Sequence, residues 1–164
     1  MENPPVQSQE SSVKRFVLSA TAIAAIVTTA AAQNPSAAGL IHERQAHYKQ
    51  MGAAIKGIND QLHSGAPSID AIRQGSRVIV TFAPHLLRWF PAGTGPEAGV
   101  RTRALPAIWS DNANFRRAGA TLLVAARALD AAAQRGDLAA IRTAVPQVGH
   151  ACGNCHDSFR APEQ

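Results

Sequence analysis

Along four separate stretches the apolar positions advance by alternating steps of three and four, the repeat that puts one face of a helix into a packed core. The first stretch runs through Arg44, Tyr48, Met51, Ile55, Ile58 and Leu62, and the second through Ile69, Ile72, Ser76, Ile79, Ala83, Leu86 and Phe90. In the third, Ile108, Phe115, Leu122 and Leu129 recur every seventh residue, with Gly119, Ala126 and Ala133 four places after the last three. The fourth is Leu138, Ile141, Val145, Val148, Cys152, Cys155 and Phe159. The breaks are short: Gly65 to Ser68 offers a stop, a proline and a serine cap, and Gly136-Asp137 a terminal glycine followed by an N-cap. Short breaks make neighbouring helices antiparallel, so the pattern predicts an all-α, left-handed antiparallel four-helix bundle. Pro91 to Arg103 is the one long connection. Pro84 and Pro146 fall inside predicted helices and are expected to kink them. The small residues of the third stripe are expected either to leave room for a bulky group or to let helices pack closely.

The fourth stripe carries the chemistry. Cys152-Gly153-Asn154-Cys155-His156 has the spacing at which two thiols capture the vinyl groups of a haem while the adjacent imidazole binds its iron. Both cysteines fall on core-facing positions and His156 lies one turn beyond Cys152, which predicts a haem held inside the bundle. A thioredoxin-like dithiol lacks its βαβ surroundings, half a zinc site lacks a second ligand pair, and a simple disulfide leaves the trailing histidine unused. Asp157 to Gln164 contains no methionine, so a sixth iron ligand, if there is one, comes from upstream.

Lys14 and Arg15 precede an uncharged run from Phe16 to Ala32 that closes in Ala30-Ala31-Ala32, the form of an export signal with a small-residue cleavage site. Residues 1–32 are thus read as a signal peptide, the mature chain as starting near Gln33, and the destination as the periplasm. An uncleaved anchor is the alternative. Residues 33–164 suffice for one domain with its own core, and Gln33 to Gly39 are expected to be a loose tail. The formal net charge of +5 suits an acidic partner, including a redox partner protein. No block of Lys and Arg with interleaved aromatics points to nucleic acid.

Several motifs in order resemble the cytochrome c' family, the class II c-type cytochromes. Cys152 to Arg160 is similar to the family's terminal pattern, Arg44-Gln45-Ala46 to Met51 to its first helix, and Phe90-Pro91-Ala92-Gly93-Thr94 with Pro106-Ala107-Ile108-Trp109-Ser110-Asp111 to its middle. The resemblance implies a homodimeric periplasmic protein with one covalent haem c and His156 as axial ligand. It further implies five-coordinate, high-spin iron that binds nitric oxide and carbon monoxide, for sequestration or tolerance of nitric oxide, by binding and not by enzymatic turnover.

By the same resemblance Tyr48 stands at the distal position, closing that face of the haem without ligating, since a phenol of ordinary pKa near 10 ionises too little. Phe90 packs against the distal face, Arg44 lies near the propionates, where its fork accepts a carboxylate, and Arg160 sits beside the proximal pocket. Each also has a plainer reading, as core aromatics and solvated arginines, with Arg160 paired to Asp157 or Glu163. Met51 is read as core filler; its ligation would make a low-spin, six-coordinate electron carrier like the c-556 cytochromes. His42, His47, His63, His85 and His150 have no motif behind them, and His47 and His85 are expected to face solvent. Nothing in the spacing marks the distal His/Arg pair of a peroxidase.

Overall fold

The structure, a computed structural model, describes Met1, Glu2 and residues 36–163. The predicted signal peptide and its cleavage site lie outside the described residues, apart from Met1 and Glu2. The elements from residue 36 onward are α1 (Ala37–His63), α2 (Ile69–Phe82), a 3-10 segment (Ala83–Trp89), a second 3-10 turn (Pro96–Ala98), α3 (Ala107–Ser110), α4 (Asn112–Arg135) and α5 (Leu138–Phe159). The long helices α1, α2, α4 and α5 form the four-helix bundle, in antiparallel pairs joined by the short links at 64–68 and 136–137.

Each long helix buries the stripe that predicts it. Ile58 and Leu62 of α1, Ile72 and Ile79 of α2, Leu122 and Leu129 of α4, and Ile141 and Val148 of α5 meet in one core. Fully burying such side chains stabilises by about 1.5–3 kcal/mol each. Ser76, the polar member of the second stripe, is buried, and its hydroxyl donates to Asp130 Oδ1 at 2.8 Å, tying α2 to α4. Arg73 of α2 donates to the carbonyls of Ala133 and Gln134, satisfying the end of α4. Gly136 then turns the chain at φ +70°, and the Asp137 carboxylate accepts from Ala140 N at 2.9 Å to start α5.

Three expectations change. The predicted loose tail is partly helical, because the Ser36 hydroxyl accepts from Gly39 N at 3.1 Å and starts α1 at Ala37. Pro84 does not kink a continuing α-helix: α2 ends at Phe82 and the chain tightens into the 3-10 segment, the form left once proline removes an amide donor. Asp111 leaves helical geometry (φ −115°, ψ 52°), dividing the third stripe between α3 and α4. Pro146, by contrast, lies inside a single α5.

Candidate functional site

Between α1 and the C-terminal half of α5 lies a cavity of about 630 Å3. Its walls are mainly apolar: Met51 and Ile55 of α1, Ile79 of α2, Leu86 and Phe90 after it, Ile108 of α3, Phe115 and Leu122 of α4, and Val148, Ala151 and Phe159 of α5. The volume falls within the roughly 300–1,000 Å3 of ligand and cofactor sites. All of Arg44, Tyr48, Met51, Phe90, Cys152, Cys155, His156 and Arg160 line it, brought from both ends of the chain.

Cys152 and Cys155 are free thiols on the cavity wall. Burial raises both pKa values, and the neighbouring Cys152 adds to the effect at Cys155, which is pushed up to about 11. Burial holds the His156 imidazole below its ordinary value, with further lowering by Arg160 and Arg103 against a smaller opposing effect of Asp157. Arg160 Nη1 lies 3.1 Å from His156 Nδ1 and 3.5 Å from Nε2. It pairs with neither Asp157 nor Glu163; Glu163 instead accepts from Arg103 at 2.8 Å.

Arg44 is the most constrained polar group. It is 2 % exposed, donates to Thr94 Oγ1 at 2.9 Å and Thr102 Oγ1 at 2.8 Å, and lies 4.6 Å above the Phe90 ring. Thr94 in turn donates to the Pro91 carbonyl at 2.8 Å. No carboxylate forms an ion pair with Arg44 among the described residues, so the cavity contains a buried cation suited to an acidic group of a ligand. Burial lowers its pKa accordingly.

Tyr48 is held in an aromatic frame, edge-on to Trp89 at 5.4 Å and tilted to Phe90 at 6.2 Å. Burial is the chief cause keeping its phenol protonated far above the usual range. Phe90 is fixed from behind by Trp109, whose indole N–H donates to the Phe90 and Pro91 carbonyls at 3.1 and 3.2 Å. The connection 91–106 is stitched to the end of α5: Leu105 N donates to the Phe159 carbonyl, Ala161 N to the Arg103 carbonyl, and Arg103 Nε to the Ala161 carbonyl. This stitching sets Arg103 and Arg160 at the cavity.

The small residues of the third stripe do not make this space. A Cβ on Gly119 would meet Leu87 at 3.3 Å, and Ala126 and Ala133 are completely buried in helix contacts, so they serve close packing. His47 does not face solvent freely: it stacks on Trp89 at 4.6 Å and its Nδ1 is buried without a partner. His42, His63, His85 and His150 are exposed, and His156 is the one histidine lining the cavity among the described residues. Sequence reasoning missed Thr94, Thr102, Arg103 and Trp89. Of these, the threonines lie in the connection already marked by its length, whereas Arg103 and Trp89 carry no local signal.

A mainly apolar cavity with two thiols and an imidazole on one helix and a buried cation that has no carboxylate partner among the described residues fits a haem with its carboxylates. Comparison with known proteins agrees. The family model described as Cytochrome C' matches residues 39–160. The cytochrome c' of Rhodospirillum rubrum is 31% identical over 150 residues, 91% of this chain and 99% of its own. Cytochrome c-556 of Agrobacterium tumefaciens is 34% identical over 125 residues, 75% and 98% of the two chains. Among solved structures, cytochrome c' of Thermochromatium tepidum superposes with a TM-score of 0.73 at 30% identity, over 77% of this chain and 98% of that one. A ferrous variant of the Alcaligenes xylosoxidans protein with bound nitric oxide gives 0.70 at 26% identity, over 80% and 100%. A cytochrome c' described by its ligand-controlled dimer dissociation gives 0.73 at 27%, over 79% and 100%.

Proposed function

From the premise that this chain belongs to the cytochrome c' family and carries covalent haem c, we propose that it is a periplasmic, five-coordinate, high-spin haem protein. It binds nitric oxide and carbon monoxide at the iron. In this reading Cys152 and Cys155 form the thioether links, His156 is the axial ligand, and Arg44 receives a haem carboxylate through the guanidinium that Thr94 and Thr102 already orient. Bound haem supplies the iron to which a diatomic gas attaches; the chain supplies attachment, orientation and the exclusion of competitors.

The observation that carries the reading is the make-up of the cavity wall. It offers one imidazole, and apart from the polar Arg44, Gln45 and Lys49 its residues from α1, the 3-10 segment and the position after it form a largely apolar patch of Tyr48, Met51, Gly52, Ile55, Leu86 and Phe90. A charged or strongly hydrated ligand entering there loses hydration without hydrogen bonds to replace it, whereas a small uncharged diatomic loses little. Tyr48 supports the same selectivity, because burial keeps its phenol neutral and a neutral phenol is a poor iron ligand. Arg160 bears on the proximal side. A ring whose Nδ1 accepts from Arg160 has its proton on Nε2, so iron binding through Nε2 requires the other tautomer and release of that contact.

The biological role proposed is sequestration or tolerance of nitric oxide, by binding without turnover, after export directed by residues 1–32. No helix among the described residues is long and apolar enough to cross a membrane. A homodimer is supported by the uncharged groove between α1 and α2, lined by Gln50, Ala53, Gly57, Ala71, Gln74 and Val78.

One observation favours a second reading. Met51 lines the cavity at 7 % exposure, and a relative named cytochrome c-556 aligns along most of the chain. Ligation by Met51 would give a low-spin electron carrier that docks a redox partner protein. Absorption spectra of the haem-loaded protein decide between the two. The gas-binding reading expects a high-spin ferrous spectrum that shifts with both carbon monoxide and nitric oxide. Sharp α and β bands unmoved by carbon monoxide, and changed by Met51→Leu, would replace it with the electron-transfer reading.

A further inference from the structure

Tyr48 is also the inner end of an aromatic stack that leads from the cavity to the protein surface. It lines the cavity and meets Trp89 edge-on, with ring centroids 5.4 Å apart. Trp89 lies against His47 at 4.6 Å and 29° between planes, and Phe82 closes the group at 5.8 Å from Trp89 and 4.8 Å from His47. Trp89 and His47 are partly exposed, and the Trp89 indole N–H donates to no other described residue. The second tryptophan is placed differently. Trp109 approaches the cavity through Phe90, 6.2 Å away, and its N–H is engaged by two carbonyls. Tyrosine and tryptophan give up an electron far more readily than phenylalanine, so only the Tyr48–Trp89 branch offers consecutive oxidisable rings.

We propose that Tyr48 and Trp89 form a relay that carries oxidising equivalents out of the haem-loaded cavity when a hydroperoxide is reduced there, making Trp89 the sacrificial site. With hydrogen peroxide the O–O bond breaks as two electrons and two protons are taken up, giving two waters. Each electron leaves the protein at Tyr48, and an electron from Trp89 restores the phenol each time. Trp89 loses two electrons and two protons in all, and one water adds its oxygen to the indole. The net change is one peroxide and Trp89 converted to one water and one hydroxytryptophan. Direction follows from place: positive charge is costly beside the apolar cavity that Tyr48 lines and cheaper at the partly exposed indole outside it, on which the imidazole stacks. The relay needs haem in the cavity and is independent of which gas binds there.

The test is to treat the haem-loaded protein, Tyr48→Phe and Trp89→Phe with stoichiometric hydrogen peroxide and map added oxygen by peptide mass spectrometry, following haem bleaching in parallel. Carbon monoxide spectra of the unsubstituted protein, taken first, test the gas-binding reading by themselves, so failure of the relay is separable from failure of that reading. The relay expects Trp89 to gain oxygen several-fold more than Trp109. It also expects Tyr48→Phe to lower that gain several-fold at unchanged Trp89 exposure, and Trp89→Phe to speed bleaching several-fold. Equal oxidation of the two tryptophans, the same Trp89 oxidation in Tyr48→Phe, or the same oxidation in haem-free chain would overturn it.

Discussion

Arg44 shows how much of this site depends on single side chains. Its planar fork spans two threonine hydroxyls at once, which a lysine ammonium cannot do in the same geometry. Arg44→Lys therefore breaks one of these two charge-assisted hydrogen bonds and is expected to lower stability by about 1–3 kcal/mol, measured by thermal unfolding of the haem-loaded protein. The cysteines make a prediction in pH. With folded-state values above the ordinary thiol pKa of about 8.5, the haem-free chain keeps its full thiol contribution below that pH. It loses the contribution as pH rises toward the Cys155 value of about 11. Urea titrations near neutrality and at about pH 10 should show this loss in haem-free protein and not in haem-loaded protein, where thioethers no longer titrate. At this scale the sequence was most informative where chemistry and position coincide: Cys152, Cys155 and His156 form a local motif on a buried stripe. Thr94, Thr102 and Trp89 act through contacts to residues some 40 to 60 places away, and their own neighbours in sequence carry no trace of those partners.

Helix boundaries follow from local chemistry wherever a cap is present. Asp137 holds an amide of the first turn of α5, the helix that carries Cys152, Cys155 and His156, so Asp137→Ala should cost about 1 kcal/mol in urea unfolding with little change in the haem spectrum. Gly75 tests the packing of α1 against α2. A Cβ there would sit 2.8 Å from Ile58 Cγ1 and 3.2 Å from the Ala54 carbonyl, and Ile58 is itself buried. Gly75→Ala should therefore destabilise by about 1–3 kcal/mol from overpacking, outweighing the ~1 kcal/mol that alanine gains in helix propensity. All four bundle helices were legible because their stripes repeat over five to eight turns' worth of chain. The departures at Ser36, Pro84 and Asp111 are places where a single cap, ring or dihedral decides and periodicity is silent. The reading of Gly119 and Ala126 as haem space failed for another reason: small residues on a stripe are compatible with a void or with a close neighbour, and only the position of Leu87 selects between them.

For the whole molecule the charge distribution bears on assembly. The chain has a net charge of +5, yet none of the residues lining the groove of about 430 Å3 between α1 and α2 is charged. Its wall is built from glutamines, alanines, glycines, Ile58 and Val78, which allow two backbones to approach closely. A two-fold dimer presents the same patch from both copies, so one substitution acts twice at the interface. Ala53 is exposed on that wall, and Ala53→Arg would set two cations against each other across the axis, beside Lys56 of each copy. Because the cavity is lined by other faces of the bundle, the carbon monoxide spectrum should be unchanged while sedimentation velocity shows the proposed dimer of the haem-loaded protein converted to monomer. A variant that still sediments as a dimer would assign self-association to a different face. A variant that loses its gas response together with the dimer would instead couple the α1 face carrying Ala53 to the one carrying Tyr48 and Met51, a turn of the same helix apart.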